Sequence, residues 1–388
     1  MSREVAIIGV GYTGFRALTP DVSYKELMYE AAVKAYDDAG VDPRSDIESF
    51  VTVAEDFTEG TSIFDEYVPD QLGAVLKPVH TIAGDGLHGF IAAYMQILTG
   101  ALDIVAVEAH SKASNILTPQ HIMAYAMDPV FNRPLGANPH FIAGLEMNLF
   151  LSETGTTREQ CARVVAKNRR HALYNPCAAF GATIEPEDVL ASDTVAWPLA
   201  RLDISPHADG AIVVVLASKQ RAEELCDLPV WVTGAGWCND SFSLENRDWS
   251  SAVYAAKAGE MAYRMAGIRS PWQELDFAEV DDTFSYKELQ HMEALRLCRP
   301  GEAGVLVEEG VTELGGDFPI NTSGGSLGMG NLLDASGLAR LLEVILQLRG
   351  EAGQRQIPDV TTGMAFGWRG LPTTSGAAVI LSNGYEEV

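Results

Sequence analysis

Two adjacent carboxylates, Asp281 and Asp282, close the strand-like run FAEV, and that placement is the first in the chain to suggest acid–base chemistry. Neighbouring strand residues point to opposite faces, so only one of the pair can enter a site. In a half-apolar pocket its pKa would rise, making it a proton acceptor; the alternative is a solvated or capping strand end. A second group is the turn Ala83-Gly84-Asp85-Gly86, flanked by His80 and His88, where Asp85 suits a helix N-cap. A third is NTSGGSLGMGNLLDASG at 321–337, whose Gly324 and Gly325 suit close backbone approach to a ligand and whose Asn331 can donate an amide hydrogen bond. Lys167, Arg169 and Arg170, with Arg163 and His171, form the densest basic cluster, either a phosphate grip or ordinary helix-surface charge. GVGYTG at 9–14 fits a dinucleotide fingerprint formally. The acid expected about 20 residues on is missing, however, and the match reads as a tight turn. The five cysteines are scattered without a CxxC pair, against a disulfide framework or a zinc site built by this chain.

These groups are positioned by a duplicated unit. Ala31, Ala35, Tyr36, Ala39, Gly40, Phe50, Val53 and Phe57 recur without a gap as Ala258, Ala262, Tyr263, Ala266, Gly267, Phe277, Val280 and Phe284. VAIIGVG at 5–11 answers VWVTGAG at 230–236, and DGAIVVVLAS at 209–218 answers SGAAVILSNG at 375–384. A helix, a Gly turn and a strand are thus present twice, and the site should lie where the halves meet. The halves are assigned to 1–227 and 228–388, with an insertion at about 113–200 that forms a cap and carries the basic cluster. Strands separated by helices predict an α/β fold with mainly parallel sheets. A pseudo-dyad should relate the halves, with strand 104–108 at a dimer interface. Apolar runs are too short for a membrane span, and a net charge of −26 disfavours nucleic acid and anionic membrane. EVAIIGV follows the first residues directly and leaves no room for a signal segment, which points to the cytoplasm.

The duplication, the insertion and the segment 321–337 resemble the thiolase superfamily, especially its sterol-carrier-like, lipid-transfer branch. KNRRHALYNPCAAFG, PLARLDISPHADGA and EVDDTF followed by LQHMEAL carry the same resemblance across nearly the whole chain. It implies a five-layered αβαβα fold, a tight dimer and chemistry on acyl-coenzyme A thioesters that makes or breaks a carbon–carbon bond. It also implies that the insertion grips coenzyme A, with Lys167, Arg169 and Arg170 as candidates for its phosphates, while the cysteine spacing leaves no metal on this chain. Ala83 stands where the family has its nucleophilic Cys, Asn331 where it has the His of Gly-His-Pro, and the Cys of Cys-x-Gly-Gly is replaced within GMAFGWRGLPTTSG. The usual two-cysteine route therefore cannot operate. Asp281 or Asp282 would serve as base for the α-proton, with Asn331 as oxyanion donor.

Three readings follow from that resemblance. The chain is an acyltransferase or C–C lyase, a degenerate coenzyme A-binding subunit that completes a homodimer or a heteromer with a thiolase-like paralogue, or a lipid or acyl carrier. It also resembles thiolase-like subunits that pair with a small zinc-ribbon/OB-fold protein, including those acting on benzoylsuccinyl-CoA, and thiolase-like aldolases, which have Tyr at the positions of Asp281 and Asn331.

Overall fold

The computed structural model describes residues 4–241, 243–371 and 374–384. Its strands are β1 (Val5–Tyr12), β2 (Ser49–Val53), β3 (Val79–Ile82), β4 (Ile104–Lys112), β5 (Thr194–Ala196), β6 (Leu199–Ala200), β7 (Asp209–Ser218), β8 (Val230–Asn239), β9 (Phe277–Glu279), β10 (Thr362–Trp368) and β11 (Ser375–Ser382). Apart from the β5–β6 pair, they lie in the order β3-β2-β4-β7-β1-β8-β11-β10-β9. At the centre, β1 meets β8 through two residue pairs, Ala6 with Trp231 and Ile7 with Val230. Outward from that seam, β1-β7-β4-β2 mirrors β8-β11-β10-β9, and an isolated bridge from Ala278 to Ile320 stands where β3 would repeat. The duplication is thus visible in strand order.

The sheet is more antiparallel than the sequence suggests. β2 runs parallel to β3 and β4, as helical crossovers require. β7 arrives from the insertion and enters antiparallel between β1 and β4. β11 does the same beside β10 and β8. Strand 104–108 is consequently an interior strand between β2 and β7, which corrects its expected place at a dimer interface; the edge of that half is β3.

Strand alternation builds the layers. Val105, Val107 and Ala109 of β4 face an inner core shared with Leu87 and Phe90 of helix Gly86–Leu98 and with Leu338 and Leu342 of helix Ser336–Arg349. Ile104 and Ala106 face the opposite way, against Ala31 and Ala35 of helix Tyr24–Ala39. In the second half Val379 faces inward, whereas Ala378 and Ile380 meet Ala258 and Ala262 of helix Val253–Ala266. Two outer helical layers, two half-sheets and a central pair of helices give the αβαβα arrangement.

The GxG pairs belong to this packing. A Cβ on Gly11 would stand 2.1 Å from the Ala31 carbonyl oxygen, and one on Gly236 would stand 2.2 Å from that of Ala258. Only glycine lets each outer helix sit directly on its strand. Residues 9–12 continue β1, so GVGYTG is neither a nucleotide loop nor a tight turn. In the insertion, Val164 and Val165 of helix Arg158–His171 pack with Leu289 and Phe318. The segment that interrupts the first half is therefore seated on the second. No helix among the described residues is long and apolar enough to cross a membrane.

Candidate active site

The turn before helix Gly86–Leu98 is held by its own cap. Gly84 takes φ 144, outside the comfortable range of an L side chain, and leaves Ala83 exposed. Asp85 Oδ1 accepts from Leu87 N at 3.1 Å, and its Oδ2 accepts from Gly337 N at 2.7 Å. One carboxyl thus caps both central helices, which are repeat counterparts. A Cβ at Gly337 or Gly367 would fall 1.8 or 2.0 Å from Asp85 Oδ1. Burial pushes this carboxyl up to about 7. Ala83 lines a cavity of about 260 Å³ with His88, Ile91, Arg369 and Ser375. His88 Nε2 lies 2.8 Å from Ser375 Oγ, while His80 is exposed on the edge strand.

A second cavity, of about 70 Å³, is lined by Asn331, His207, Asp334, Thr283, Trp368 and Arg369 among others. Backbone hydrogen bonds bring the distant segments together: Asn331 N donates to the Pro206 carbonyl at 2.7 Å, and Ala208 N donates to the Asn331 carbonyl at 2.9 Å. Asn331 Oδ1 accepts from Leu333 N at 2.9 Å, which fixes the amide, and Nδ2 donates to Ser205 Oγ at 3.2 Å. An amide nitrogen has two hydrogens, so one remains for a ligand.

Burial, then the nearby His140, lowers the pKa of His207, leaving a neutral imidazole. Its ring makes no hydrogen bond among the described residues. Asp334 Oδ2 accepts from Glu55 N at 2.7 Å and from Thr58 Oγ1 at 3.2 Å. Burial and then the Glu55 charge push this carboxyl up to about 8, so it is protonated at neutral pH. Glu55 is paired with Arg369, the residue common to both cavities.

Most of the other expected site residues are structural. Asp281 and Asp282 are both fully buried, and neither lines these cavities. Asp281 Oδ2 is 2.7 Å from Arg340 Nη2, and Asp282 Oδ1 is 3.6 Å from the same nitrogen. Asp282 also accepts from Asn168 Nδ2, Ser326 N and Leu327 N at 2.8, 2.6 and 3.1 Å. The strand ends before the pair, so alternation fails and both carboxylates turn toward one buried guanidinium.

Gly324 and Gly325 serve the same packing. A Cβ there would meet Ala172 at 2.6 Å or Asp282 Oδ2 at 2.1 Å, so their freedom is spent on protein rather than on a ligand.

The basic cluster also dissolves into internal contacts. Lys167 is buried, 2.8 Å from Glu288, and donates to the Ile320 carbonyl at 2.8 Å. Arg169 donates to the Phe180 carbonyl at 3.0 Å and lies over the Phe180 ring. Arg170 is half-exposed and paired with Glu313 at 2.6 Å. A phosphate grip by all three is thereby corrected, since a buried, paired lysine cannot reach one. Among the described residues no group of three or more His, Cys, Asp or Glu could hold a metal ion.

His207, Asp334, Arg369 and Ser375 were not singled out by sequence reasoning. The His of PHADGA carries no spacing signal, because its partner Asn331 is joined to it only by a long-range bridge. Arg369 and Ser375 flank a connection whose Pro372 and Thr373 lie outside the described residues, as does part of the expected replacement of Cys-x-Gly-Gly.

Comparison with known proteins agrees with this architecture. Residues 236–383 match the family model "Thiolase C-terminal domain-like". The acetyl-CoA acetyltransferase of Methanothermobacter thermautotrophicus is 33% identical over 97% of this chain and 98% of its own length. Sterol carrier protein 2 of Bos taurus is 30% identical over 92% of this chain and 68% of that protein. The solved Ltp2-ChsH2(DUF35) aldolase superposes with a TM-score of 0.83 at 26% identity, covering 98% of this chain and 97% of that one. With the mirrored half-sheets, the shared central cap and near full-length similarity in agreement, the chain belongs to the thiolase superfamily, in its sterol-carrier-like branch.

Proposed function

We propose that this chain makes or breaks a carbon–carbon bond next to the thioester of an acyl-coenzyme A, with Asn331 donating to the thioester oxygen and His207 moving the α-proton. The carrying observation is that an amide with a spare hydrogen and a neutral, unbonded imidazole line one cavity. Removing an α-proton places charge on the thioester oxygen, so a fixed donor there and a base near the carbon are what the step needs. Protonated Asp334 lines the same cavity and adds no competing negative charge. Relatives that act as an acetyltransferase and an aldolase support a C–C bond reaction.

Coenzyme A would arrive as part of the substrate. Of the three basic residues expected to hold its phosphates, only Arg170 keeps an exposed guanidinium. A larger cavity of about 370 Å³, sharing Phe57, Thr58 and Leu333 with the Asn331 cavity, offers room for the acyl part.

The test is deuterium exchange at the α-carbon of acetyl-CoA in heavy water. His207→Gln should slow exchange by about 10²-fold or more while the folded spectrum is unchanged. Exchange at the wild-type rate would refute the assignment. A second reading, a coenzyme A-binding subunit without chemistry of its own, is favoured by Ala83 in the nucleophile's place. It predicts binding without exchange. Assembly with a second copy, a thiolase-like paralogue or a small zinc-ribbon/OB-fold protein belongs to either reading, the last supported by the likeness to the Ltp2-ChsH2(DUF35) aldolase. Light scattering of the chain alone and with such a protein decides that point.

A further inference from the structure

The cavity beside Ala83 contains a hydroxyl and an imidazole already in contact. Ser375 begins β11 and is 5% exposed. Its Oγ lies 2.8 Å from His88 Nε2, and both residues line the cavity with Ala83 and Arg369. We infer that Ser375 is an acyl-accepting nucleophile, with His88 as its base, in place of the cysteine missing at position 83. The inference rests on the reading that this chain acts on an acyl-coenzyme A thioester.

Three observations carry it. The pair is within proton-transfer distance, the first geometric requirement of a hydroxyl nucleophile. The ring is also held in a usable state: burial, then the Arg369 charge, pushes the His88 pKa down to about 4, so its Nε2 lone pair is free at neutral pH. When Nε2 accepts from Ser375, Nδ1 carries the remaining proton. Nδ1 makes no hydrogen bond among the described residues, while the His88 backbone N–H donates to the Asp85 carbonyl at 2.8 Å. Finally, the serine is fixed from both sides: Arg369 N donates to its carbonyl at 3.0 Å, and its strand pairs it with Asn239, which lines the same cavity. Arg369, whose guanidinium is paired with Glu55, also lines this cavity.

The step balances without any further reagent. Ser375 Oγ bonds to the thioester carbon as its proton passes to His88 Nε2. The carbon–sulfur bond then breaks, and the departing coenzyme A sulfur takes that proton from His88, leaving an ester on Ser375 and a free thiol.

The experiment is intact-protein and peptide mass spectrometry after incubation with acetyl-CoA, with release of free thiol followed in parallel. An acetyl group on Ser375, absent from Ser375→Ala and formed at least about 10²-fold more slowly in His88→Gln, is the expected result. Glutamine keeps a polar partner for the serine, so both variants are checked for a native circular dichroism spectrum. No adduct on the wild-type chain, or an adduct that persists in Ser375→Ala, overturns the inference. If α-proton exchange continues while no adduct forms, this inference alone fails. Loss of exchange in His207→Gln with Ser375 still acylated leaves it standing.

Discussion

Replacing Asp281 by asparagine should unfold this chain more readily without disarming it. Asp281 Oδ2 lies 2.7 Å from Arg340 Nη2, and its Oδ1 accepts from Thr283 N at 3.0 Å. At that ionic separation and an effective dielectric of about 20, the attraction is about 6 kcal/mol. Arg340 would be left with Asp282 at 3.6 Å, a carboxylate already shared with Asn168 Nδ2 and two backbone N–H groups. Asparagine fills the same volume, so the loss is electrostatic. Breaking one side of a buried pair costs about 3–5 kcal/mol, a large part of the roughly 5–15 kcal/mol that holds a domain together. Urea unfolding followed by tryptophan fluorescence reads that loss, and α-proton exchange at low temperature reads the chemistry. The expected outcome is a lower unfolding midpoint with exchange retained on the folded fraction. An unchanged midpoint with exchange reduced about a hundredfold would return Asp281 to the reacting atoms and refute the reasoning.

Other ionisable groups should respond differently. Asp334 is held near 8 against an ordinary 3.8, so the folded chain keeps a proton that the unfolded chain releases. Its contribution is present below about pH 4 and is lost as pH rises to about 8, with a slope of up to about 1.4 kcal/mol per pH unit. Asp334→Asn should flatten that part of the stability profile measured by urea titration between about pH 5 and 8, and an unaltered slope would contradict the assignment. Lys167→Met strands Glu288 and should cost about 3–5 kcal/mol in the same unfolding assay. Arg170→Ala, which removes only a half-exposed pair with Glu313, should cost under about 1 kcal/mol. If Arg170 meets a phosphate, that variant should also weaken coenzyme A binding by about 1–3 kcal/mol in calorimetry.

How much of this was legible in the sequence depended on the range of the interactions. The matched Ala and Gly positions of 31–57 and 258–284 report local packing of a helix on its own strand, and the mirrored half-sheets repeat it. The Asp85 cap was legible for the same reason: a short acid before a helix has a near neighbour to satisfy. Electrostatic roles were not, because charge sequence does not reveal which partner arrives from elsewhere. Lys167 was expected on a phosphate but is paired with buried Glu288, and Asp281 and Asp282, expected to supply a base, both face the buried Arg340.

The duplication brings the first turns of helices Gly86–Leu98 and Ser336–Arg349 together at one shared carboxyl, Asp85, beside the candidate site. Ala83 precedes one of those helices and Asn331 the other, so the two signature positions lie near the same junction although far apart in sequence. Arg369, from the connection leaving β10, reaches both cavities at that junction. On the proposed reading an acyl carbonyl meets the chain between the two copies, and the polar groups lining the two cavities there are Asn331 and His207 in one and His88 and Ser375 in the other.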